Sequence, residues 1–187
     1  GRKRPEWEKR GRLPTSTSIE GRPAVVDRRS RYGDWEGDTI VGAHRRGGAV
    51  TLVERKSGYV LLGKTENLQA ATVRQVAAER YASVPPALRK TLTLDNGKEF
   101  AEHEQLEVEA KIKVYFAKPY SAWQRGTNEN TNGLVRSFFP KGTDLANMRE
   151  HRFTKVEQLL NDRPRKRLGY RTPNEVLTSR LNPNGCD

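Results

Sequence analysis

The amino-acid sequence predicts an α/β protein in which a mixed five-stranded sheet carries helices on both faces. Two observations lead to this fold class. The first is a run of three short, partly β-branched segments joined by tight connections, which is typical of an antiparallel meander. The second is that strand-like and helix-like segments alternate after the meander, which indicates helices packed on the faces of a mixed sheet.

The predicted elements follow one another in the order β-β-β-α-β-α-β-α-α. The strands are predicted at 38–41, 49–54, 59–63, 91–94 and 114–116. The first helix is predicted over 70–81, because apolar residues recur there at helical spacing and Pro85-Pro86 then stops it. Further helices are predicted at 99–110, 127–139 and 148–160, with only a basic segment after the last. By analogy, this strand order is that of the ribonuclease-H-like fold, and a fold alone does not define a function.

Proline content and charge divide the chain into three parts. Residues 1–32 contain three prolines and no helical periodicity, so they are predicted to form a basic linker or extended arm. Residues 33–181 are long enough for one domain with its own core, and this domain is predicted to end in a basic segment. Residues 182–187 are predicted to be a tail. The absence of an initial Met suggests that earlier residues have been cut away.

The positive charge is concentrated at the two ends of the chain. The protein has 35 Lys and Arg against 23 Asp and Glu, a net charge of +12. Residues 1–32 carry +6 and residues 163–180 carry +5, whereas 33–162 carry only +2. The first twelve residues alone are equally typical of a solvated tail. Two basic flanks beside a balanced core favour contact with the phosphates of a nucleic acid.

Several classes of protein are excluded by composition. No stretch of eighteen apolar residues exists, so no transmembrane helix is predicted, and no secretory signal opens the chain. The single cysteine, Cys186, excludes a disulfide framework and a cysteine-based zinc site. A cytoplasmic setting is the default expectation. The three widely spaced histidines argue against a histidine-rich metal site.

Three carboxylates stand at places where a metal-dependent enzyme would need them. Asp38 begins the first predicted strand, Asp95 ends the fourth, and Glu129 lies in the first turn of the helix after a long loop. Magnesium prefers oxygen ligands, and a pair of ions needs carboxylates that converge from different elements. They converge if strands one and four are neighbours. Asp34 and Glu36 are rivals for the first position, but Asp38 directly adjoins the apolar strand.

Each carboxylate also has a structural interpretation when it is considered alone. Asp95-Asn-Gly is a strong hairpin-turn signature, and Asp38 beside Gly37 is compatible with a turn at a strand edge. Glu129 near a helix start stabilises the helix dipole without any catalysis. Arg136 lies seven residues after Glu129 and therefore shares its helix stripe, where it can hold a phosphate or simply cover the surface.

At these residues the sequence resembles the insertion-sequence-thirty family of bacterial transposases, a branch of the retroviral-integrase superfamily. The motifs that carry the resemblance are GDWEGD at 33–38, TLDNGKEF at 93–100, PYSAWQRGTNENTNG at 119–133 and NDRPRKRLGYRTP at 161–173. The resemblance covers most of 22–180. It implies that Asp38, Asp95 and Glu129 form an Asp-Asp-Glu triad that binds two Mg²⁺ or Mn²⁺ ions. Arg136 would then be the basic residue that follows the Glu.

The same resemblance implies a reaction and its partners. Hydrolysis of one phosphodiester at the transposon end frees a 3′-hydroxyl, which attacks a second phosphodiester in target double-stranded DNA. A homo-oligomer on DNA, in the bacterial cytoplasm at the nucleoid, is expected, with no membrane. The family's N-terminal helix-turn-helix domain has no counterpart here. Residues 120–126 match a mobile loop beside the active site, with Ala122 where proline is expected.

Some residues near the triad have two interpretations. Asn128, Asn130 and Asn132 form a polar cluster at the helix start. Either Thr127 or Asn128 caps the helix, or the cluster hydrogen-bonds the DNA backbone along one stripe. Trp123 either packs on the core or stacks on an unpaired base. Two other functions use the same fold: a nuclease that hydrolyses without strand transfer, and a non-enzymatic DNA-binding module.

Overall fold

Five strands form one mixed sheet at the centre of the molecule. The computed structural model describes residues 13, 15–118 and 126–181. The strands are β1 (Asp34–Val41), β2 (Gly48–Glu54), β3 (Val60–Thr65), β4 (Thr91–Leu94) and β5 (Lys113–Phe116), and their order across the sheet is β3-β2-β1-β4-β5. β1, β2 and β3 pair antiparallel, whereas β1, β4 and β5 run parallel. The predicted mixed sheet is confirmed, and β1 and β4 are neighbours, which is the condition for convergence of the carboxylates.

Helices cover both faces of the sheet. They are α1 (Ala24–Asp27), α2 (Ala70–Ala82), α3 (His103–Ala110), α4 (Gly126–Phe138), α5 (Glu150–Asn161) and α6 (Pro173–Leu181). One face packs against α2 and α3 in a core that contains Trp35, Leu92 and Tyr81. The other packs against α4 and α5 in a core that contains Ile40, Val135 and Phe153. The prediction of helices on both faces is confirmed.

Strand β1 separates these two cores by its side-chain alternation. Because successive side chains of a strand point to opposite faces, Trp35 and Gly37 face α2 whereas Glu36, Asp38 and Ile40 face α4. β1 begins four residues before the predicted strand at 38–41. The prediction missed its first half because Asp34 and Glu36 are charged, and both are buried against specific partners.

Two helix predictions need correction. The helix predicted over 99–110 is a short 3₁₀ turn, Lys98–Phe100, followed by α3 from His103. The basic segment predicted to close the chain contains α6, which was not predicted. Its start carries a reciprocal capping pair, because the Glu175 N–H donates to Thr172 Oγ1 at 3.0 Å and the Thr172 N–H to Glu175 Oε2 at 2.7 Å. The sequence Thr-Pro-Asn-Glu at 172–175 is therefore the signal that reveals α6.

The described part of the basic arm lies along the domain. The backbone of Phe116 at the end of β5 donates to Thr17 O at 2.8 Å, and Ser18 pairs with the same residue as an isolated parallel bridge. Farther along the arm, α1 buries Val26 completely. The arm thus borders β5, and the division of the chain at residue 32 stays a prediction.

Gly37 in the middle of β1 is a position where any side chain would collide with the core. A Cβ there would lie 2.6 Å from Leu94 Cδ2 and 3.2 Å from Leu52 Cδ2. We expect Gly37→Ala to lower the free energy of unfolding by about 1–3 kcal/mol through overpacking. Urea denaturation measures this, and an unchanged midpoint would show that the core yields to the methyl group.

Gly133 in α4 serves as the matched control for that substitution. No atom lies within 4 Å of a Cβ at this position, and the glycine is inside a helix. Gly133→Ala is therefore expected to raise the free energy of unfolding by about 0.5–1 kcal/mol. The same methyl group should shift the two midpoints in opposite directions.

Candidate active site

Helix α4 lies along strand β1, and their contacts advance in step. The Asn128 N–H donates to Glu36 Oε2 at 2.8 Å, and Asn132 Nδ2 donates to Asp38 Oδ2 at 2.9 Å. Ile40 then joins the same apolar core as Val135. Two strand residues advance by about 6.6 Å and four helix residues by about 6 Å, so each step along β1 matches one turn of α4.

This alignment places Glu129 and Arg136 beside β1. Residues 129, 132 and 136 share one stripe of α4, because three and seven steps of about 100° return close to the starting face. Asn132 touches Asp38, so Glu129 lies one turn before that contact, with its side chain exposed. Arg136 lies one turn beyond it, where its guanidinium donates to Val41 O at 3.0 Å and to Phe139 O at 3.4 Å.

Asp95 follows β4 on the strand next to Asp38. The parallel register pairs Glu36 with Thr93, so Asp38 and Asp95 each lie two residues beyond the last pair on neighbouring strands. The Gly97 N–H donates to Asp95 Oδ1 at 3.0 Å, which forms a tight local turn. The chain then enters the 3₁₀ turn, so Asp95-Asn-Gly ends a parallel strand and the hairpin interpretation is wrong.

The three carboxylates are thus carried by β1, the end of β4 and the first turn of α4. Within the described ranges, no group of three or more His, Cys, Asp and Glu side chains stands ready to hold a metal ion. The assignment of Asp38, Asp95 and Glu129 as metal ligands, with Arg136 as a fourth catalytic residue, stays a prediction. The structure shows the elements that would bring them together.

The rival carboxylates are occupied by structural contacts. Asp34 is paired with Arg31 at 2.8 Å and accepts from Thr91 Oγ1 at 2.8 Å. Glu36 is fully buried, and its Oε1 is 2.7 Å from Arg55 Nε, while its other oxygen accepts the Asn128 N–H. These contacts make both residues anchors of neighbouring segments.

Glu36 and Arg55 belong to a buried polar group that sequence reasoning missed. Arg55 Nη1 also donates to Val26 O at 2.6 Å, which ties α1 to the sheet. Arg22 lies close by and donates to Thr93 Oγ1 at 2.7 Å. Burial and the neighbouring Arg55 lower the pKa of the Arg22 guanidinium, which shows how crowded these cations are. The available signal was the pair of acidic residues inside an otherwise buried strand.

Asn128 and Asn132 face the sheet. Thr51 Oγ1 on β2 donates to Asn132 Oδ1 at 2.9 Å and lies 3.3 Å from Asn128 Oδ1. α4 begins at Gly126, so neither Thr127 nor Asn128 caps it from outside. Of the three asparagines for which DNA contact was one of two interpretations, Asn130 is the one exposed on the outer side of the helix. The predicted loop at 120–126 and Trp123 lie, apart from Gly126, outside the described residues.

Three curated bacterial relatives align with nearly the whole chain. The transposase for insertion sequence element IS4351 of Bacteroides fragilis is 42% identical over 175 residues, which are 94% of this chain and 53% of that protein. The transposase InsI for element IS30A of Escherichia coli K12 is 42% identical over 88% of this chain and 43% of its own. The transposase for element IS1086 of Cupriavidus metallidurans is 43% identical over 93% of this chain and 51% of its own length.

Over roughly 90% of its length the chain is about 42% identical to transposases of the IS30 family. It spans about half the length of the curated relatives that it matches. No protein-family model matches the chain. The resemblance to the family that the four motifs predicted is confirmed.

A solved structure supports the fold of this region. The catalytic core domain of BIV integrase superposes with a TM-score of 0.61 and 19% sequence identity, over 82% of this chain and 98% of that domain. The predicted ribonuclease-H-like fold is confirmed. Throughout the described ranges, every helix is too short or too polar to cross a bilayer.

Removing the charge of Glu36 tests whether the buried polar group holds the site together. Glu36→Gln keeps the shape but leaves Arg55 buried without its counterion, and breaking such a pair costs about 3–5 kcal/mol. We expect a loss of that size in chemical denaturation. Glu104→Gln, an exposed residue of α3, is the control and should change stability by less than about 0.5 kcal/mol. Equal effects of the two substitutions would contradict a structural role for Glu36.

Proposed function

We propose that this chain is the catalytic core of an IS30-family DDE transposase. Such an enzyme hydrolyses a phosphodiester at the transposon end, and the freed 3′-hydroxyl then attacks a phosphodiester of target DNA, which joins the two DNA strands. The observation that carries the proposal is the contact between α4 and β1. Through Asn132, this contact joins the helix that carries Glu129 to Asp38 on β1. β1 pairs with β4, which Asp95 follows directly. The chain is also about 42% identical to transposases.

The proposed partners are the transposon end and target double-stranded DNA. A net charge of +12 suits a polyanionic substrate, and the relatives are named as transposases. We propose that the protein acts as a dimer or higher homo-oligomer on DNA, so that two ends are held together. DNA as the substrate also favours the bacterial cytoplasm, at the nucleoid, as the site of action.

The residues present fit the divalent ions that the family resemblance implies. Asp38, Asp95 and Glu129 offer carboxylate oxygens, which suit Mg²⁺ or Mn²⁺. Two ions, when bound, supply an activated water and stabilise the leaving oxygen. The donor set is also oriented, because the Thr39 N–H donates to Asp38 Oδ1 at 2.8 Å and Asn132 Nδ2 to its other oxygen.

Backbone and side-chain groups of this chain hold these carboxylates in place. Asn132 and the Thr39 N–H fix the Asp38 carboxylate, and the Gly97 N–H fixes that of Asp95. Arg136, anchored on the carbonyl of Val41, presents a cation on the Glu129 side of α4, where a phosphate of the substrate would approach. Positioning of this kind lowers the barrier to reaction before any chemistry occurs.

The closest alternative is a nuclease of the same fold that cuts without strand transfer. Full-length transposase containing this chain, incubated with magnesium and a labelled transposon end, distinguishes the possibilities. Joined product is expected. Cut product alone would indicate the nuclease, and no product would indicate a DNA-binding module.

Asp95→Asn tests the catalytic assignment directly. The exchange keeps the size of the side chain but removes a charged ligand, so magnesium-dependent cleavage should fall below about a hundredth of wild type, a loss of more than about 2.7 kcal/mol in transition-state stabilisation. DNA affinity should remain close to wild type. Asp144→Asn, at an exposed loop carboxylate, is the control and should cleave normally. Substantial cleavage by Asp95→Asn would move the catalytic role to another carboxylate.

The metal assignment can be tested without DNA by melting curves. If the three carboxylates converge, their like charges repel one another when no metal is bound, and this repulsion disfavours the folded state. Asp38→Asn should therefore be at least as stable as wild type in a chelator, whereas loss of an ordinary structural Asp costs roughly 0.5–3 kcal/mol. Millimolar magnesium or manganese should raise the wild-type Tm by mass action.

In Asp38→Asn that metal-dependent rise should shrink or vanish, whereas Asp144→Asn should keep it. The measurement is a set of melting curves for the three proteins, each with and without divalent cation. An Asp38→Asn protein that melts well below wild type without metal, yet gains as much from metal, would make Asp38 a structural residue.

A further inference from the structure

A polar cavity lies on the side of α4 that faces away from the candidate active site. It has a volume of about 260 Å³ and is bounded by α4, by the turn between β2 and β3, and by the segment after α5. Three arginines line it: Arg29, Arg165 and Arg167. They come from the two basic flanks of the sequence, which the fold brings together at this one place.

The arginines crowd one another without a matching number of carboxylates. Burial, Arg163 and Arg167 lower the pKa of Arg165, and burial and Arg29 lower that of Arg167. The negative charge of Glu54 raises the pKa of Arg167. The carboxylate oxygens of Glu54, however, already accept hydrogen bonds from the Gly33 N–H and the Ser57 N–H. Within the described part of the chain, no Asp or Glu lines the cavity. Such a cluster of cations is stabilised when an anion binds between them.

Two of these arginines are held in place by the backbone. Arg167 Nη1 donates to Lys56 O at 2.7 Å, and Arg165 Nη2 donates to Leu160 O at 3.1 Å. Gly58 allows the close approach of Arg167, because a Cβ there would lie 2.3 Å from Arg167 Nη2. The guanidiniums are therefore ordered before any ligand arrives, which reduces the entropy lost on binding.

The cavity and the candidate catalytic residues occupy opposite flanks of one helix. Thr131 and Glu129 are two residues apart, as are Leu134 and Arg136, and two residues correspond to about 200° around a helix. Thr131 and Leu134 line the cavity together with Asn130, whereas Glu129 and Arg136 lie on the Asp38 side. An anion in the cavity is therefore separated from the scissile phosphate by the width of α4.

We propose that this arginine pocket binds a backbone phosphate of double-stranded DNA at a point away from the bond that is cut. The inference rests on the proposed function, because it takes DNA as the ligand. Arginine forms charge-assisted, bidentate hydrogen bonds with phosphate, and Asn130 and Thr131 add uncharged groups of the kind that contact DNA backbones. Phosphate contacts fix the register of a duplex, so the pocket would position DNA across α4.

Replacing two of the pocket arginines tests this proposal. Arg29→Gln and Arg167→Gln, singly and together, are compared with Arg152→Gln, an exposed arginine of α5 outside the cavity. The measurement is the affinity for a labelled duplex of unrelated sequence, in chelator, over a salt series. Loss of one phosphate contact should reduce the slope of log affinity against log salt by about 0.9. We expect that change in the double variant, and a slope close to wild type for Arg152→Gln.

Equal slopes for the double variant and Arg152→Gln would overturn the proposal. A site for small anions only would overturn it as well. In that case inorganic phosphate would raise the Tm of wild type but not of the double variant, and the salt slopes of DNA binding would be unchanged. Arg29→Gln guards against misfolding, because among the described residues its guanidinium has no hydrogen-bond partner. If the double variant unfolds, the salt slope of Arg29→Gln alone decides whether the pocket binds DNA.

The same experiment separates this inference from the proposed function. DNA binding in chelator does not require cleavage, so an arginine-dependent slope can coexist with an enzyme that fails to cut. In that case the pocket stands and the transposase chemistry fails. If cutting and joining are normal with magnesium but the salt slopes do not depend on the pocket arginines, the proposed chemistry stands and the pocket has no role in DNA binding.

Discussion

The fully buried ion pair between Glu36 and Arg55 is the contact on which the rest of the site depends. Two charges removed from water are costly unless further hydrogen bonds satisfy their remaining atoms. Here those hydrogen bonds come from separate segments: Glu36 accepts from the start of α4, and Arg55 donates to Val26 in α1. One pair thereby joins the central strand, the end of β2, the basic arm and the helix of Glu129.

The consequence of this junction is that α4 serves three purposes at once. Its inner face packs Asn128, Asn132 and Val135 onto the sheet. One flank carries Glu129 and Arg136, one turn before and one turn after the Asn132–Asp38 contact, and the other forms one wall of the arginine pocket. Because both flanks belong to a single rigid helix, the spacing between a metal-binding carboxylate and a bound backbone phosphate would be set by the fold. Such spacing is what a DNA-joining enzyme needs to hold its substrate in a defined register.

The elements that sequence reasoning identified share a local cause. Apolar, β-branched runs made the five strands predictable, and the spacing of Ala70, Val73 and Ala77 did the same for α2. Helix α6 was not predicted although its Thr-Pro-Asn-Glu start is a local signal, because the basic character of residues 163–180 was the basis of the prediction there. The first half of β1 was missed for a different reason: Asp34 and Glu36 are polar residues that only their distant partners make compatible with a buried strand.

The sequence by itself determined the class of fold, the family and the candidate carboxylates, because periodicity and contiguous motifs are properties of neighbouring residues. Only the tertiary structure decided what those residues touch. It gave Asp34 and Glu36 their own structural partners, turned Asn128 and Asn132 toward the sheet, and joined the two basic flanks at one cavity. Such contacts link residues that are tens to more than a hundred positions apart. They arise from packing of whole elements, which no local pattern in the sequence encodes.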